Sequence, residues 1–490
     1  MNTFALWCLF HRPGASGSSG RTSALAIIAF ATATAVFLTV LGGVHGFIWR
    51  ASADHTVARY FNDAACAPGA KSVDYWLASG APAAWAEMMD VNAQGYVCLA
   101  FIACVLLIVP FAALAGSAAR LAASRRDARL AALRLAGATR SQVTRLVALD
   151  AAGQALVGAL IGILGYFAAM PAIMLLNFQN RRFTFEQLWV GPVALALTVI
   201  GVTLLALVSA LLTLRRVSIT PLGVASRAAQ PLPSHWRAAI FAGSIVAAVA
   251  LFDSLAQVSS FFGEIGTIAL VLGLIMLPFA LMNLVGTWAV SARAKSLARR
   301  PHCAADMIAM RRILDNPKRA WRNVSGIALA VFIAGITAVA GCIGGASSAS
   351  GGAGDDPTAI YARDMSSGGL LTLMFAAILA AVSSGVMQAG SVYDQAQEYR
   401  MLLLEGTDVD TLNKARFREV MTPLNTVVAL AGGCAMVLMM PLFASAMTEA
   451  GTLLTFFGGI ALCYALVSIG AFAANRVAAR LNLTDWRADD

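Results

Sequence analysis

Residues 150–181 read DAAGQALVGALIGILGYFAAMPAIMLLNFQNR, with thirty residues between Asp150 and Arg181 and no charged side chain among them. A helix needs about 20 apolar residues to cross a hydrocarbon core about 30 Å thick, so this stretch is long enough to span a bilayer. It is one of a series. Charge-free runs of similar length lie between Arg21 and Arg50, Asp90 and Arg120, Glu186 and Arg215, Glu264 and Arg293, Arg322 and Asp355, Asp364 and Asp394, Glu419 and Glu449, and Glu449 and Arg476. A further run, Arg237 to Asp253, holds 15 uncharged residues. That is about 23 Å of helix, so it either thins the bilayer or continues through Asp253 into 254–262. The expected fold is therefore all-α and polytopic, with about ten transmembrane helices.

Composition agrees. The chain is 59% hydrophobic and 12% charged, whereas soluble domains carry about 25% charged residues. A net charge of +10 could point to nucleic acid. The charges, however, fall in short segments between the apolar runs, which excludes nucleic acid as a partner and names the lipid bilayer instead. With ten spans and the N-terminus inside, 29 of the 35 Lys and Arg lie on the inner side. The outer six are Arg50, Arg59, Lys71, Arg181, Arg182 and Arg363. Lys and Arg set topology, so both termini are expected in the cytoplasm of a bacterial cell. Trp49, Trp189, Trp236, Trp288 and Trp321 fall near span ends, where interfacial anchors belong.

The cysteines form no framework. Cys98, Cys104, Cys434 and Cys463 lie within spans, and only Cys66 is clearly in an outer loop. Cys342 could pair with it, or both are small apolar residues. Ala51-Ser52-Ala53 has the form of a cleavage site, but the apolar run before it is long and suits a retained anchor better.

Residues 1–22 read as an interfacial segment at the inner face. The largest outer loop is about 51–93, and smaller ones are expected near 178–190, 254–264 and 346–367. The inner segments Arg120–Asp150 and Gln395–Glu419 are related to each other. With Gly137 set on Gly406, Leu133 falls on Leu402, Arg145 on Lys414 and Asp150 on Glu419. Met170-Pro171 and Met440-Pro441 follow at nearly the same distance. This is an internal repeat in parallel orientation, dividing the chain into a module at 23–227 (spans one to four), linker spans five and six at 228–292, and a second module at 293–490 (spans seven to ten).

The segment Leu133-Arg134-Leu135-Ala136-Gly137-Ala138-Thr139-Arg140-Ser141-Gln142-Val143, followed by Asp150 and the glycines 153, 158, 162 and 165, resembles the FtsX/MacB-type permease module. That module is the membrane subunit of a class of ABC transporters. Arg215-Arg216-Val217-Ser218-Ile219-Thr220-Pro221-Leu222 is similar to the stretch that closes it, and Arg311–Ala330 to the lead-in of a new module. The resemblance covers about residues 100–227. The second copy departs from it, with Glu405-Gly406-Thr407-Asp408 where the family shows a Gly-Ala-Thr-Arg-like turn. Two parallel four-helix modules plus a two-helix linker resemble the ten-span layout of BceB-type permeases, without their large extracellular domain.

No Gly-x-x-x-x-Gly-Lys-Ser/Thr occurs, so no phosphate loop is available to cradle ATP. The chain is expected to be no enzyme and to bind no cofactor, with ATP and magnesium held by separate cytoplasmic ABC ATPase subunits, two per chain. In this reading Arg134, Gly137, Thr139, Arg140 and Gln142, and in the second copy Glu405, Gly406 and Asp408, couple to the ATPase. The plainer reading is that these arginines only set topology. Asp150 with Arg145, and Glu419 with Lys414, are expected as ion pairs at the inner interface, with proton coupling as the alternative. Gln154 and Asn283 suit bonds between helices, and His45 suits packing; no Cys/His cluster has metal spacing. The first inner segment, 117–150, carries seven Arg against two Asp, and the second, 391–422, four basic against six acidic residues, so the two should not dock alike.

Function is expected to be export or extraction of a hydrophobic substrate such as a lipid, peptide or amphiphilic drug. The alternative is a signalling protein that uses the same ATPase coupling to activate an extracellular partner. A secondary transporter would need charge in mid-membrane, for which Asp253 is the candidate.

Overall fold

The computed structural model describes residues 17–51, 93, 95–108, 110–111, 114, 116, 139–179, 181–218, 236–253, 255–349, 357–394, 401–402, 404–443, 454, 456–465 and 467–469. Expectations for the N-terminal segment up to residue 16, the loop 52–92 with Cys66, and Arg134 and Gly137 lie outside these residues. The protein is an all-α polytopic membrane protein. Among the described residues, five stretches are long and apolar enough to cross a membrane: Ser23–Ala51, Thr144–Met174, Phe185–Leu211, Arg363–Gln388 and Val409–Leu438. Shorter apolar helices are Gly95–Ile108, Trp236–Leu251 and Phe456–Ile469.

The chain divides into two compact units, Met1–Ser226 and Arg227–Asp490. The first contains α1 (Gly17–Ala51), α2 (Gly95–Ile108), α3 (Arg140–Met174), a hairpin of β1 (Asn177–Phe178) and β2 (Arg181–Arg182), the single turn α4 (Phe185–Leu188) and α5 (Gly191–Ser218). The hairpin is antiparallel, with Asn177 opposite Arg182 and Phe178 opposite Arg181.

Helix α1 packs along α3, and glycine decides how closely. A Cβ on Gly158 would lie 2.9 Å from the Ile27 carbonyl, and one on Gly162 would lie 2.7 Å from that of Ala31. Without side chains there, the two backbones meet. In lipid, helices gain little by hiding apolar surface from one another, so contact of this kind must hold them together. Gln154 adds a polar tie, its Nε2 donating to Ser23 Oγ at 3.1 Å, an interhelical bond of the kind its sequence position suggested.

At the other end of α1 the segment 178–190 is a built structure rather than a plain loop. Arg50 is buried and donates to the Phe178 carbonyl at 2.8 Å, the Arg182 carbonyl at 2.9 Å and Gln187 Oε1 at 3.1 Å, while its guanidinium lies 4.1 Å from the centre of the Phe183 ring. Arg50 also donates to Gln179 Oε1, and Gln179 holds a positive φ of 60° at the hairpin turn. His45 Nδ1 donates to the Gln187 carbonyl at 2.9 Å, which makes it a packed histidine.

The second unit contains α6 (Trp236–Asp253), α7 (Leu255–Ala298), α8 (Ala304–Asp315), α9 (Pro317–Ala349), α10 (Pro357–Asp394), α11 (Val409–Phe443) and α12 (Phe456–Ile469). Two expectations change. Helix α6 ends at Asp253 and α7 begins at Leu255, so the expected loop 254–264 is helical almost throughout. Helix α10 already starts at Pro357, inside the expected loop 346–367. Helix α6 packs against α7 and α11, and α7 packs against α9 and α11 as well.

Helix α9 is its centre, packed by α7, α10 and α11. Residues 327–335 are all buried, which is why they are apolar on every face rather than along one stripe. Gly335 lies against Ala435 of α11, and Gly459 of α12 lies against Ala334. Trp321, expected as an interfacial anchor, is instead 4% exposed. It fills the space that Gly286 leaves open, and its Nε1 donates to Asn283 Oδ1 at 3.2 Å. Trp236 remains exposed. Cys434 and Cys463 are buried free thiols.

Candidate functional site

The two segments aligned in the sequence each carry one long helix. Helices α3 and α11 are each 35 residues long. They begin at Arg140 and Val409 and end at Met174 and Phe443, the same 269-residue offset that separates Gly137 from Gly406. At 1.5 Å per residue each is about 52 Å long, against a hydrocarbon core of about 30 Å. Each therefore exceeds the hydrocarbon core by about 20 Å. The described end of each inner segment, from Arg140 and from Val409, is thus not a separate helix between two spans. It is the end of the span itself, so any push on the turn acts directly on a transmembrane helix.

Helix α3 starts with a defined cap. Thr139 is the N-cap of α3: the Gln142 N–H donates to its Oγ1 at 3.3 Å, and its own N–H donates to Gln142 Oε1 at 3.0 Å. This reciprocal capping box satisfies two of the backbone donors that a helix start leaves open. Two of the residues singled out for coupling thus spend their side chains on starting the helix; Thr-x-x-Gln was the signal, legible in the sequence. Arg140 is the first residue of α3.

In the second unit, residues 401, 402 and 404 are helical and a tight reversal follows. The Glu405 N–H donates to the Met401 carbonyl at 2.9 Å and the Thr407 N–H to the Leu402 carbonyl at 3.0 Å, with Gly406 at φ +90°. The long bond over a residue of positive φ is a Schellman closure, and Gly406 is there because a side chain disfavours that φ. Asp408 follows, its carbonyl accepting from Leu412 N at 3.1 Å to open α11. Asp410 lies in the first turn, where a carboxylate favours the positive end of the helix dipole.

The surface of this turn is unusual for residues outside the span. Met401 is 64% exposed, Leu404 74% and Val409 51%, and Glu405, Asp408 and Asp410 beside them are exposed too. Clustered apolar side chains ringed by charge mark a contact surface.

The charged residues expected at the inner interface have specific neighbours. Lys414 Nζ pairs with Asp410 at 3.1 Å, one turn back on α11. Glu419 takes Arg312 of α8 at 3.8 Å, a partner the sequence did not suggest. Asp150 accepts from Gln154 Nε2 at 3.5 Å, and Arg145 is exposed. Sequence reasoning also missed Arg418, which pairs with Asp306 and donates to Cys303 Sγ at 2.8 Å. Cys303 and Arg418 are 115 residues apart, a separation over which no local pattern can pair two side chains.

In the first unit, an open apolar groove of about 330 Å³ runs between α1 and α5, lined by Phe37, Leu41, Phe111, Leu197, Gly201 and Val202 among others. Among the described residues no group of three His, Cys, Asp or Glu could hold a metal ion.

Residues 99–221 match the family model described as FtsX-like permease C-terminal. The matched segment takes in α3, the hairpin, α4 and α5 of the first unit. No curated protein matches the chain.

Proposed function

From the FtsX-like permease domain that the chain carries on residues 99–221, we propose that it is the membrane-spanning subunit of an ABC transporter, moving a hydrophobic substrate with energy from a separate ATPase. One observation carries this reading: each copy has a helix longer than the hydrocarbon core, α3 opening on the Thr139 cap and α11 on the 405–408 turn, which presents exposed Met401, Leu404 and Val409. Such a turn, seated in a cleft of a partner, passes the partner's movement into the membrane without a flexible joint. The chain has no phosphate loop, so in this reading ATP and magnesium belong to the ATPase. The apolar groove between α1 and α5 suits the hydrocarbon part of a lipid, acylated peptide or amphiphilic drug. In this reading the chain sits in the bacterial cell membrane with both termini and both turns in the cytoplasm. Two repeated modules offer two ATPase sites, and the Arg50-clamped end faces outward.

The test is purification of the full chain from its native membrane in mild detergent, with identification of any bound ATPase and measurement of its turnover in lipid nanodiscs. An ABC ATPase that co-purifies, and whose turnover rises on reconstitution with the chain, is the expected result. Recovery of the chain with no ATPase would overturn the proposal. An ATPase whose turnover follows an outer partner, with no substrate moved, would assign signalling instead.

A further inference from the structure

Helix α8 occupies an unusual place in the second unit. It is short, amphipathic and follows α7, and its buried residues are Ala305, Ala309, Met310 and Ile313. It packs against α11, which over this stretch buries Leu412 and Ala415. Charge flanks this apolar contact. Arg418 of α11 pairs with Asp306 and also reaches Cys303 Sγ, and Glu419 faces Arg312. At its far end α8 is joined to α9 by the single residue Asn316. The Asn316 side chain accepts from Arg319 N at 3.1 Å, and Pro317 supplies the first residue of α9, where a missing N–H costs nothing.

These links form a second route between the turn and the centre of the unit. The direct contact of α11 with α9 includes Gly432 against Val331 and Ala435 against Gly335. Gly432 is 14 residues beyond Arg418, about 21 Å along the helix. If α11 tilts about that contact by about 10°, Arg418 moves by about 4 Å over this arm. A displacement of that size must either drag α8 or part the Arg418–Asp306 pair. The first outcome is favoured because Arg418 Nη1 reaches Asp306 and Cys303 together, at the start of α8.

We propose that Arg418 is a positioning residue that clasps α8 to α11, so that movement of the 405–408 turn reaches α9 through α8 as well as through the direct helix contact. This rests on the coupling function proposed above, and the test separates the two. Amide hydrogen exchange is measured on the full chain in nanodiscs, without ATPase, for Arg418→Glu, Asp306→Arg and the charge-swapped double variant Asp306→Arg/Arg418→Asp. The single variants should exchange the amides of 304–315 about tenfold faster, and the double variant should return to within about twofold of the native rate. In the complex, Arg418→Glu should still bind the ATPase but lose at least half of the stimulated turnover, which the double variant restores. Unchanged exchange in the single variants, or faster exchange that the swap does not reverse, would overturn the clasp. Altered exchange with turnover unaffected would leave a static contact and overturn the transmission. If no ATPase binds the native chain, the permease reading fails and the transmission with it, while the exchange experiment still decides whether the clasp exists.

Discussion

Replacing Leu404 by Ala tests the docking surface at its most exposed apolar point. Leu404 is 74% exposed in the free chain, so the substitution removes almost no internal packing. In a partner's cleft the same side chain would be covered. Truncation to Ala takes away about three carbons, each worth about 0.8 kcal/mol when buried. Scaled by the exposed three-quarters, the loss is about 1.5–2 kcal/mol, or a dissociation constant raised about 10- to 30-fold. Met401→Ala should act in the same direction. The assay is the affinity of the ATPase for the chain in nanodiscs, alongside the thermal midpoint of the chain alone, which an exposed substitution should leave nearly unchanged. The weakening should persist at high salt, because apolar contact is not screened. Reversing Glu405, Asp408 and Asp410 together should instead weaken binding most at low salt, as surface charges do. An affinity within twofold of native, with an unchanged midpoint, would refute the reasoning: Leu404 would then be exposed for no partner. A fallen midpoint would show that the side chain packs within the chain after all.

Other consequences are as direct. Gly406→Ala meets no atom within 4 Å but must hold φ +90°, so it should cost about 1–2 kcal/mol locally; faster exchange at 405–408 would register it, and Gly406→Asn should be milder. Gly162→Leu would drive α1 and α3 apart, since even a Cβ would lie 2.7 Å from the Ala31 carbonyl; a lower midpoint and weaker expression are expected, and a chain as stable as native would deny the close contact. Arg50→Met strands the carbonyls of Phe178 and Arg182 and the side chain of Gln187, a loss of about 3–5 kcal/mol for a buried charged group and its partners; rapid proteolysis within 177–190 is the check. Native mass spectrometry should find two ATPase subunits per chain, whereas one ATPase per chain in a dimer of chains would defeat the two-module reading.

Much of this was legible in the residues because it depends on neighbours along the chain. A charge-free run of thirty residues says that the segment can cross a bilayer whatever surrounds it, and α3, α5, α10 and α11 lie where such runs predict. The correspondence of the two long helices was legible for the same reason: Gly137 and Gly406, each with a helix start three residues later, are local signals that recur at one offset. Thr139 with Gln142, and Asn316 with Pro317, are helix starts written in four residues or fewer. The expected loop at 254–264 was misplaced because a span may continue as helix beyond the apolar run that marks it, and nothing local stops α7 from starting at Leu255.

What the sequence determined by itself is a helical membrane protein with a long helix at each of two corresponding places in the chain. Only the tertiary structure decided which side chains those helices bring together. Arg50 counted as one more outer charge until the hairpin and α4 closed around it, and Trp321 counted as an anchor until Gly286 and Asn283 made room for it. Arg418 carried no signal at all, for Asp306 reaches it only after α7, α8 and α11 have packed. Hydropathy and capping are set by bonds to solvent and to residues a turn away, so they survive in a linear reading. An ion pair between distant residues exists only where folding has placed two backbones side by side.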